Sequence, residues 1–227
     1  MVHAAFQLAK RGVRSPSATQ PLAAGWRCVS QRPRKQGLLV ATMLGLLLLS
    51  ATGSAWREIA PAVYASLRGS GLVLILLCIL GRTWCTLYMG GRKNRELITR
   101  GPYSTMRNPL YLFSIVGTVG IGLLAGSVMA ALLLGSIALA VFSYTVRREE
   151  ASLEDAFGEA FRAYAARVPR FWPLLSAWQD ADEVVVKPRL IVRTFADASL
   201  FLVTLPLIGL RDLLQRQGSL TILLEVP

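Results

Sequence analysis

The chain has 227 residues, 53% of them hydrophobic, and its mean hydropathy of +0.47 is higher than soluble domains usually reach. Because the apolar residues are clustered, the composition predicts a polytopic membrane protein and argues against a soluble globular domain. The net charge is +12, but most basic residues flank apolar segments, which favours contact with anionic membrane lipids and argues against a nucleic-acid partner.

The N-terminal residues 1–36 carry seven Lys or Arg and no Asp or Glu. This composition predicts a basic tail that stays on the cytoplasmic side of a membrane. A transit peptide is the alternative, because such peptides are also rich in Arg and Ser and poor in acidic residues. The predicted organisation is this tail, a membrane domain over 37–178, and a C-terminal extension over 179–227.

Four apolar segments follow the tail, and each is close to the ~20 residues that cross a hydrocarbon core. They are Gly37–Ala55, Gly71–Met89, Pro109–Ala125 and Ser127–Val146. The last two are divided only around Gly126, so they form a predicted helical hairpin. Small residues in this hairpin allow close helix packing; they are Gly117, Gly120, Gly122 and Gly126. The predicted fold is all-α, a membrane bundle of about four transmembrane helices.

The distribution of basic residues predicts the orientation of this bundle. Basic residues flank the N-terminal tail, the loop over 92–107 and the hairpin end at Arg147-Arg148, whereas 56–70 is poorer in charge. The positive-inside rule then predicts that both termini and the 92–107 loop are cytoplasmic. This multi-pass arrangement suits a bacterial inner membrane, with an organelle membrane as the alternative.

Two further helices are predicted after the hairpin. Apolar residues recur at helical spacing after Arg148, which predicts an amphipathic cytoplasmic helix that continues the second arm and ends at Pro169. These apolar residues are Leu153, Phe157, Phe161, Tyr164 and Val168. A shorter apolar stretch, Ala198–Leu210, is interrupted by Pro206, and we predict a short interfacial or packed helix there rather than a span.

The segment Gly101–Tyr111 is a polar insert between two apolar blocks. Gly101-Pro102 and Asn108-Pro109 each break regular backbone, and irregular backbone beside membrane segments is tolerated where it lines a cavity. Tyr103, Arg107 and Asn108 lie between these breaks and carry groups that orient a polar ligand. The insert is therefore the first candidate site.

Three charged residues at the same predicted membrane face extend this site. Glu149 and Glu150 lie at the mouth of the hairpin, where they either bind an ammonium or hydroxyl group of a ligand or form ordinary ion pairs with neighbouring arginines. Arg82 lies inside the second apolar segment, where a charge is costly. It either holds an anion, such as a substrate carboxylate, a phosphate or Glu149 and Glu150, or snorkels toward the interface.

Cysteine and histidine content excludes several kinds of site. Cys28, Cys78 and Cys85 lack metal-ligand spacing, and a disulfide framework is not expected. His3 is the single histidine, so no histidine-rich metal centre exists and a histidine general base is not expected. We predict no metal site.

Two motifs together resemble a known family. The first is LITRGPYSTMRNPLY over Leu97–Tyr111, and the second, after an apolar hairpin, is REEASLEDAFGEAFRAYAARVPRFWP over Arg148–Pro173. This combination, within about residues 80–173, resembles the isoprenylcysteine carboxyl methyltransferases and is similar to the related phospholipid methyltransferases. Asn108 stands where the carboxyl methyltransferases usually have histidine, and Asn-Pro is closer to the phospholipid methyltransferases.

The resemblance implies an integral membrane methyltransferase that uses S-adenosylmethionine. Matched by motif position, one side of the implied cofactor pocket is formed by Leu97, Ile98, Tyr103, Asn108, Pro109, Leu110 and Tyr111. Glu149 and Glu150 form its other side, and Arg170 lies near the entrance for a lipophilic substrate. Arg82 is the second candidate for binding the anionic end of that substrate.

The implied reaction requires little acid–base catalysis from the protein. A sulfonium methyl group is already activated, so positioning in a dry pocket matters more than a strong base. A carboxylate acceptor needs no base, and for an amine or thiol acceptor Glu150 or Tyr103 is the candidate. The partners are therefore membrane lipids and a lipophilic or lipid-linked acceptor. A non-enzymatic membrane scaffold and an NADPH-dependent membrane reductase are the alternatives.

Overall fold

The structure is a computed structural model that describes residues 52–90, 96–184, 186–218 and 224–226. This part of the chain is mostly helical, which confirms the predicted fold class. In chain order the elements are β1 (Thr52–Ser54), α1 (Trp56–Ile59), α2 (Pro61–Met89), α3 (Pro102–Thr105), α4 (Pro109–Leu124), α5 (Val128–Phe157), α6 (Glu159–Arg167), a 3-10 turn (Leu175–Ala177), α7 (Pro188–Ser199), a 3-10 turn (Leu200–Val203), α8 (Thr204–Arg216) and β2 (Leu224–Val226). β1 and β2 pair in parallel, with Thr52 opposite Leu224.

The predicted basic tail over 1–36 lies outside the described residues, as does most of the predicted first segment, Gly37–Ala55. Only the end of that segment is described. It forms β1 and a turn rather than the last residues of a helix.

Three helical stretches in the described ranges are long and apolar enough to cross a membrane: α2, α5 and the stretch Pro188–Arg216. α4 is apolar but has only 16 residues. α2 begins at Pro61, ten residues before the predicted start of the second apolar segment at Gly71. Proline is favoured in the first turn of a helix, and the hydroxyls of Ser66 and Ser70 are satisfied by helix carbonyls within α2.

The C-terminal apolar stretch is longer than predicted. α7, a 3-10 turn and α8 together form the helical stretch Pro188–Arg216, rather than a short helix over Ala198–Leu210. Pro206 does not interrupt it, because it lies in the first turn of α8, where backbone N–H groups lack helical partners. The stretch is packed, as predicted: Ala198 and Ile208 are buried in one core cluster with Ile75 and Ile79 of α2.

The predicted hairpin is confirmed. α4 and α5 are joined around Gly126, whose φ of 78° lies in the region that favours glycine. Ser127 caps α5, its hydroxyl accepting from the backbone N–H of Ala130 at 3.0 Å, as N-cap serines do. α5 continues through Val146 to Phe157, and α6 follows a bend at Gly158. The predicted amphipathic continuation is thus present as two helical pieces.

The glycines of the hairpin pack closely, as predicted. A Cβ on Gly122 would lie 2.3 Å from the backbone of Ala131 in α5. A Cβ on Gly120 would lie 2.8 Å from the carbonyl of Gly71 in α2. Such distances leave no room for a methyl group, so glycine at these positions sets the spacing of α4 against its neighbours.

We expect the substitution Gly122→Ala to separate the two arms of the hairpin and to destabilise the protein by about 1–3 kcal/mol, the usual cost of overpacking. Thermal unfolding of the detergent-solubilised protein measures the change. Gly69→Ala is the matched control, because a Cβ there meets nothing within 4 Å and alanine favours the helix. An unchanged unfolding midpoint in Gly122→Ala would contradict the close packing.

The two ends of the bundle carry different features. At one end lie the end of α2, α3, the start of α4 and the segment after α6. At the other end, the hydroxyl of Ser54 donates to the carbonyl of Gly126 at 2.7 Å, and Arg211 of α8 donates to the carbonyl of Ala125 at 3.3 Å. Because β2 pairs with β1, the described C-terminal residues lie at this second end, away from α3.

Candidate functional site

The insert Gly101–Tyr111 folds into a single buried helical turn with an extended exit. Gly101 has a φ of 60°, Pro102–Thr105 form α3, and Met106 is extended. A Cβ on Gly101 would lie 2.2 Å from the ring of Tyr88. Glycine is therefore required here both by the backbone and by the approach of α2.

The segment after α6 fixes this insert by backbone hydrogen bonds. The N–H of Gly101 donates to the carbonyl of Gln179 at 2.7 Å, and the N–H of Arg107 donates to the carbonyl of Pro169 at 2.9 Å. The N–H of Leu174 donates to the carbonyl of Thr105 at 3.0 Å. The two sequence motifs are thus held together along their length, which gives the irregular backbone the partners that it needs.

Glu150 is the centre of the side-chain network between the motifs. One carboxylate oxygen accepts from Asn108 Nδ2 at 3.0 Å. The other accepts from Arg170 Nε at 3.0 Å and Nη2 at 2.7 Å. Arg107 Nε lies 3.2 Å from the first oxygen, while its Nη1 donates to the carbonyl of Ala165 at 3.0 Å. The Glu150 side chain is only 10% exposed.

These contacts change the predicted roles of Glu150 and Arg170. Both oxygens of the Glu150 carboxylate are already occupied by protein donors, an amide and a guanidinium, so the geometry argues against Glu150 as a general base. Arg170 is engaged with Glu150 rather than free to meet a substrate anion. Both residues instead fix the position of Asn108 and the start of α4.

Glu149 joins the motifs a second time. The hydroxyl of Tyr111 donates to Glu149 Oε2 at 2.9 Å, and the ring of Tyr111 lies 5.2 Å from that of Phe142. Glu149 is half-buried, whereas the adjacent Arg148 is exposed. Carboxylate and aromatic groups therefore lie side by side at the hairpin mouth.

Tyr103 has a buried hydroxyl with no hydrogen-bond partner in the described part of the chain. Its backbone carbonyl accepts from the hydroxyl of Tyr164 at 2.7 Å. Burial, followed by the charges of Cys85, Tyr164, Glu149 and Tyr111, raises the pKa of Tyr103 well above its ordinary value. The phenol is therefore protonated at neutral pH and serves as a hydrogen-bond donor rather than as a base.

The remaining predicted pocket residues are apolar and lie around this network. Leu97 packs against the buried cluster of Phe161, Tyr164 and Val168. Ile98 and Leu110 are half-buried, and Pro109 is fully buried at the start of α4. The burial of the surrounding turn supplies the dry setting in which electrostatic contacts are strong.

Arg82 contacts α4 rather than the two glutamates. Its Nη1 donates to the hydroxyl of Ser114, which in turn donates to the carbonyl of Leu110 at 2.8 Å. Its Nε is buried without an acceptor, and no ion pair of Arg82 is found among the described residues. Of the alternatives predicted for Arg82, pairing with Glu149 or Glu150 is not found among the described contacts, and the guanidinium retains an unused donor.

Three residues that contact the predicted site residues were not predicted from the sequence: Ser114, Phe142 and Tyr164. Ser114 and Phe142 lie within apolar segments and carry no motif, so no sequence signal identified them. Tyr164 was assigned only to the apolar face of a helix. Its hydroxyl nevertheless donates to the backbone carbonyl of Tyr103 and holds it in place. The helical spacing of Tyr164 from Phe161 indicated only packing.

The chain is similar in sequence to several known proteins. The sequence pattern of the family described as phospholipid methyltransferase matches residues 58–160. A nickel-cobalt-cadmium resistance protein, NccN of Alcaligenes xylosoxydans xylosoxydans, is 34% identical over 163 residues, covering 72% of this chain and 75% of that protein. A cobalt-zinc-cadmium resistance protein, CzcN of Cupriavidus metallidurans, is 36% identical over 132 residues, or 58% and 61% of the two chains.

A third relative carries an enzyme name. Protein-S-isoprenylcysteine O-methyltransferase of Schizosaccharomyces pombe is 31% identical over 83 residues, covering 37% of this chain and 35% of that protein. No solved structure matches the chain significantly.

Proposed function

Since the chain belongs to the phospholipid methyltransferase family, we propose that it transfers the methyl group of S-adenosylmethionine to a lipophilic or lipid-linked acceptor. The family and the isoprenylcysteine methyltransferase relative support a membrane methyltransferase. The observation that carries the finer proposal is the pairing of the two motifs, Asn108 with Glu150 and Tyr111 with Glu149. Residues about forty positions apart are thereby joined into one site.

The residues at the hairpin mouth fit this cofactor. Glu149 is a half-buried carboxylate suited to accept from ammonium or hydroxyl groups, and Tyr111 and Phe142 supply aromatic faces that attract a cation. The buried hydroxyl of Tyr103 has no hydrogen-bond partner in the described ranges, and a bound polar group would provide one. When bound, S-adenosylmethionine supplies a methyl group that its positive sulfur has already activated. Leu97, Ile98, Pro109 and Leu110 complete the proposed pocket.

The protein's own groups favour an acceptor that needs no base. Glu150 is held by Arg170 and Asn108, and Tyr103 stays protonated because burial raises its pKa. Neither predicted base is therefore suited to remove a proton from an amine or thiol. A carboxylate is already deprotonated at neutral pH, so we propose a lipophilic carboxylate as the acceptor class.

Arg82 is the proposed partner of that carboxylate. It is a half-buried guanidinium on α2 whose Nε has no acceptor among the residues that the structure describes, and an unpaired charge within an apolar helix is costly. An anionic acceptor would supply the missing counter-charge and hydrogen bond. Arg170, the other predicted substrate residue, is assigned instead to positioning Glu150.

We further propose that the end of the bundle that carries the site faces the cytoplasm, because the positive-inside rule places basic residues on that side. Exposed arginines at this end support it: Arg100, Arg147, Arg148, Arg162 and Arg167. With that orientation the described C-terminal strand β2 lies on the opposite side. A bacterial inner membrane remains the proposed location.

The names of two relatives suggest a cellular setting. NccN and CzcN are named as resistance proteins against nickel, cobalt, zinc or cadmium. We propose that methyl transfer by this chain contributes to metal resistance, with a membrane component as the methylated molecule. Labelling of membranes from cells grown with and without cadmium tests this setting, and an unchanged labelled product would contradict it.

We expect membranes containing the protein to incorporate label from methyl-labelled S-adenosylmethionine into a lipid-extractable product. Substitution Glu149→Gln is expected to weaken cofactor binding about tenfold or more, because a charge-assisted hydrogen bond is lost. Calorimetry on the purified protein measures the affinity, and organic extraction of the membranes measures the product.

Glu154→Gln is the matched control, because Glu154 lies on the same helix and pairs with the exposed Arg162. It is expected to leave binding unchanged. Absence of cofactor binding in the unmodified protein would instead support a non-enzymatic scaffold. Competition by NADPH would favour a reductase.

A further inference from the structure

The segment that follows α6 carries large apolar side chains at its surface. We call residues 172–178 the aromatic strap. In the part of the chain that the structure describes, Trp172 is 84% exposed and Leu175 is 75% exposed, and Leu174 and Trp178 are also exposed. Leaving such side chains in water forgoes the free energy of their burial. Contiguous exposed apolar side chains mark contact surfaces, so the strap is a candidate for one.

The strap is fixed to the α3 turn by hydrogen bonds. The backbone N–H of Leu174 donates to the carbonyl of Thr105 at 3.0 Å. The N–H of Gln179, directly after the strap, donates to Ser104 Oγ at 2.9 Å. The fold therefore sets the position of the apolar side chains, and whatever covers the strap also holds α3.

Trp178 joins the strap to the outer face of α2. Its ring stacks on that of Trp84, with centroids 5.5 Å apart and planes at 16°, and the ring of Tyr88 lies edge-on at 6.4 Å. Trp84 is the last member of an exposed apolar stripe at helical spacing on α2; the stripe consists of Val73, Leu77, Leu80 and Trp84. α2 is long and apolar enough to cross a membrane, so the strap continues a face that suits acyl chains.

The level of this junction suits the membrane interface. Trp84 lies about 8 Å along the helix axis from Met89, the last residue of α2, at a rise of roughly 1.5 Å per residue. The exposed Arg167 lies in the last turn of α6, shortly before the strap. Tryptophan is enriched where headgroups meet acyl chains, and basic side chains nearby are attracted to anionic headgroups.

We propose that the aromatic strap is a membrane-interface anchor, which inserts Trp172 and Leu175 between the headgroups and the acyl chains of one leaflet. A partner protein would also cover apolar side chains, but the continuity of the strap with the exposed stripe of α2 favours lipid. Because the strap is bonded to Ser104 and Thr105, the anchor holds α3 at the same depth. The proposal does not depend on the methyl-transfer reaction.

Fluorescence of the full-length protein in phosphatidylcholine vesicles tests the anchor. Leu175→Cys, in a Cys28→Ser background, carries an environment-sensitive fluorophore, because Cys78 and Cys85 are buried and buried thiols react poorly. We expect its emission to be shifted to the blue relative to the same label in water. We also expect quenching by a lipid with a nitroxide near the headgroup to be at least about twofold stronger than by one with a nitroxide at the end of the acyl chain.

Glu159→Cys in the same background is the matched control. Glu159 begins α6 and its side chain is 86% exposed, so its label is expected to emit as in water and to be quenched by iodide. A Leu175 label quenched by iodide as strongly as the Glu159 label would overturn the anchor. A label protected from both iodide and the nitroxide lipids would also overturn it, and would indicate a protein partner.

A second measurement uses the chain without a label. The emission lost on the substitution Trp172→Phe belongs to Trp172, and we expect this component to be quenched by the nitroxide near the headgroup. Phenylalanine keeps an apolar ring at an exposed position, so the fold is expected to be unchanged. A Trp172 component that responds to iodide and not to the nitroxide lipid would contradict insertion into the interface.

Discussion

Replacing Glu150 with alanine is expected to abolish methyl transfer and to destabilise the protein by about 3 kcal/mol, as breaking a buried ion pair does. The substitution removes the only carboxylate that Arg107 and Arg170 are seen to share in the described structure, and it releases Asn108 from its 3.0 Å hydrogen bond. Product formation from labelled cofactor and the thermal unfolding midpoint in detergent measure the two effects.

Two further variants separate positioning from acid–base chemistry. Glu150→Gln keeps a hydrogen-bond acceptor and is expected to retain part of the activity with an unchanged pH profile, because Glu150 acts through Asn108 rather than on a substrate proton. Glu154→Ala lies in the same helix at an exposed pair and is expected to change stability by less than about 0.5 kcal/mol. A Glu150→Ala protein as stable as Glu154→Ala would refute the network.

Replacing Arg82 with leucine is expected to lower kcat/KM for a lipophilic carboxylate about 100-fold, the order expected when one partner of a buried charge pair is removed. The expected change lies mainly in KM, because Arg82 is proposed to bind the acceptor and not the reacting methyl group. An S-prenylated N-acetylcysteine is a suitable probe, assayed with labelled cofactor.

The affinity for S-adenosylmethionine provides the internal control for this second prediction. It is expected to be unchanged in Arg82→Leu, because Arg82 contacts Ser114 and not Glu149 or Tyr111. Arg82→Lys keeps the charge and is expected to restore part of the lost efficiency. Equal turnover of the carboxylate by the unmodified protein and Arg82→Leu would remove Arg82 from the acceptor site.

The parts of the fold that local chemistry determines could be predicted from the sequence. The hairpin followed from two apolar segments around Gly126, and the glycine spacing predicted its close packing. The two motifs were expected to meet because both lie at the same end of that hairpin, and the Asn108–Glu150 and Tyr111–Glu149 contacts agree with this expectation.

The choice of partner within the site was not predictable in the same way. Arg82, Arg107 and Arg170 all carry a positive charge and were all predicted at the same end of the bundle. Only the path of the chain after α6 brings Arg107 and Arg170, and not Arg82, to Glu150. The apolar stretch Ala198–Leu210 likewise predicted a short helix, whereas the observed helical stretch, Pro188–Arg216, continues through the polar residues on both sides.

The shortness of α4 bears on how an acceptor reaches the site. Its 16 residues span about 24 Å, against a hydrocarbon core of about 30 Å. If the Gly126 turn lies at one membrane surface, Asn108 lies about 6 Å short of the other, a hydrophobic mismatch that recesses the site into one leaflet. A lipid-anchored acceptor could then be methylated while its chain stays within the bilayer.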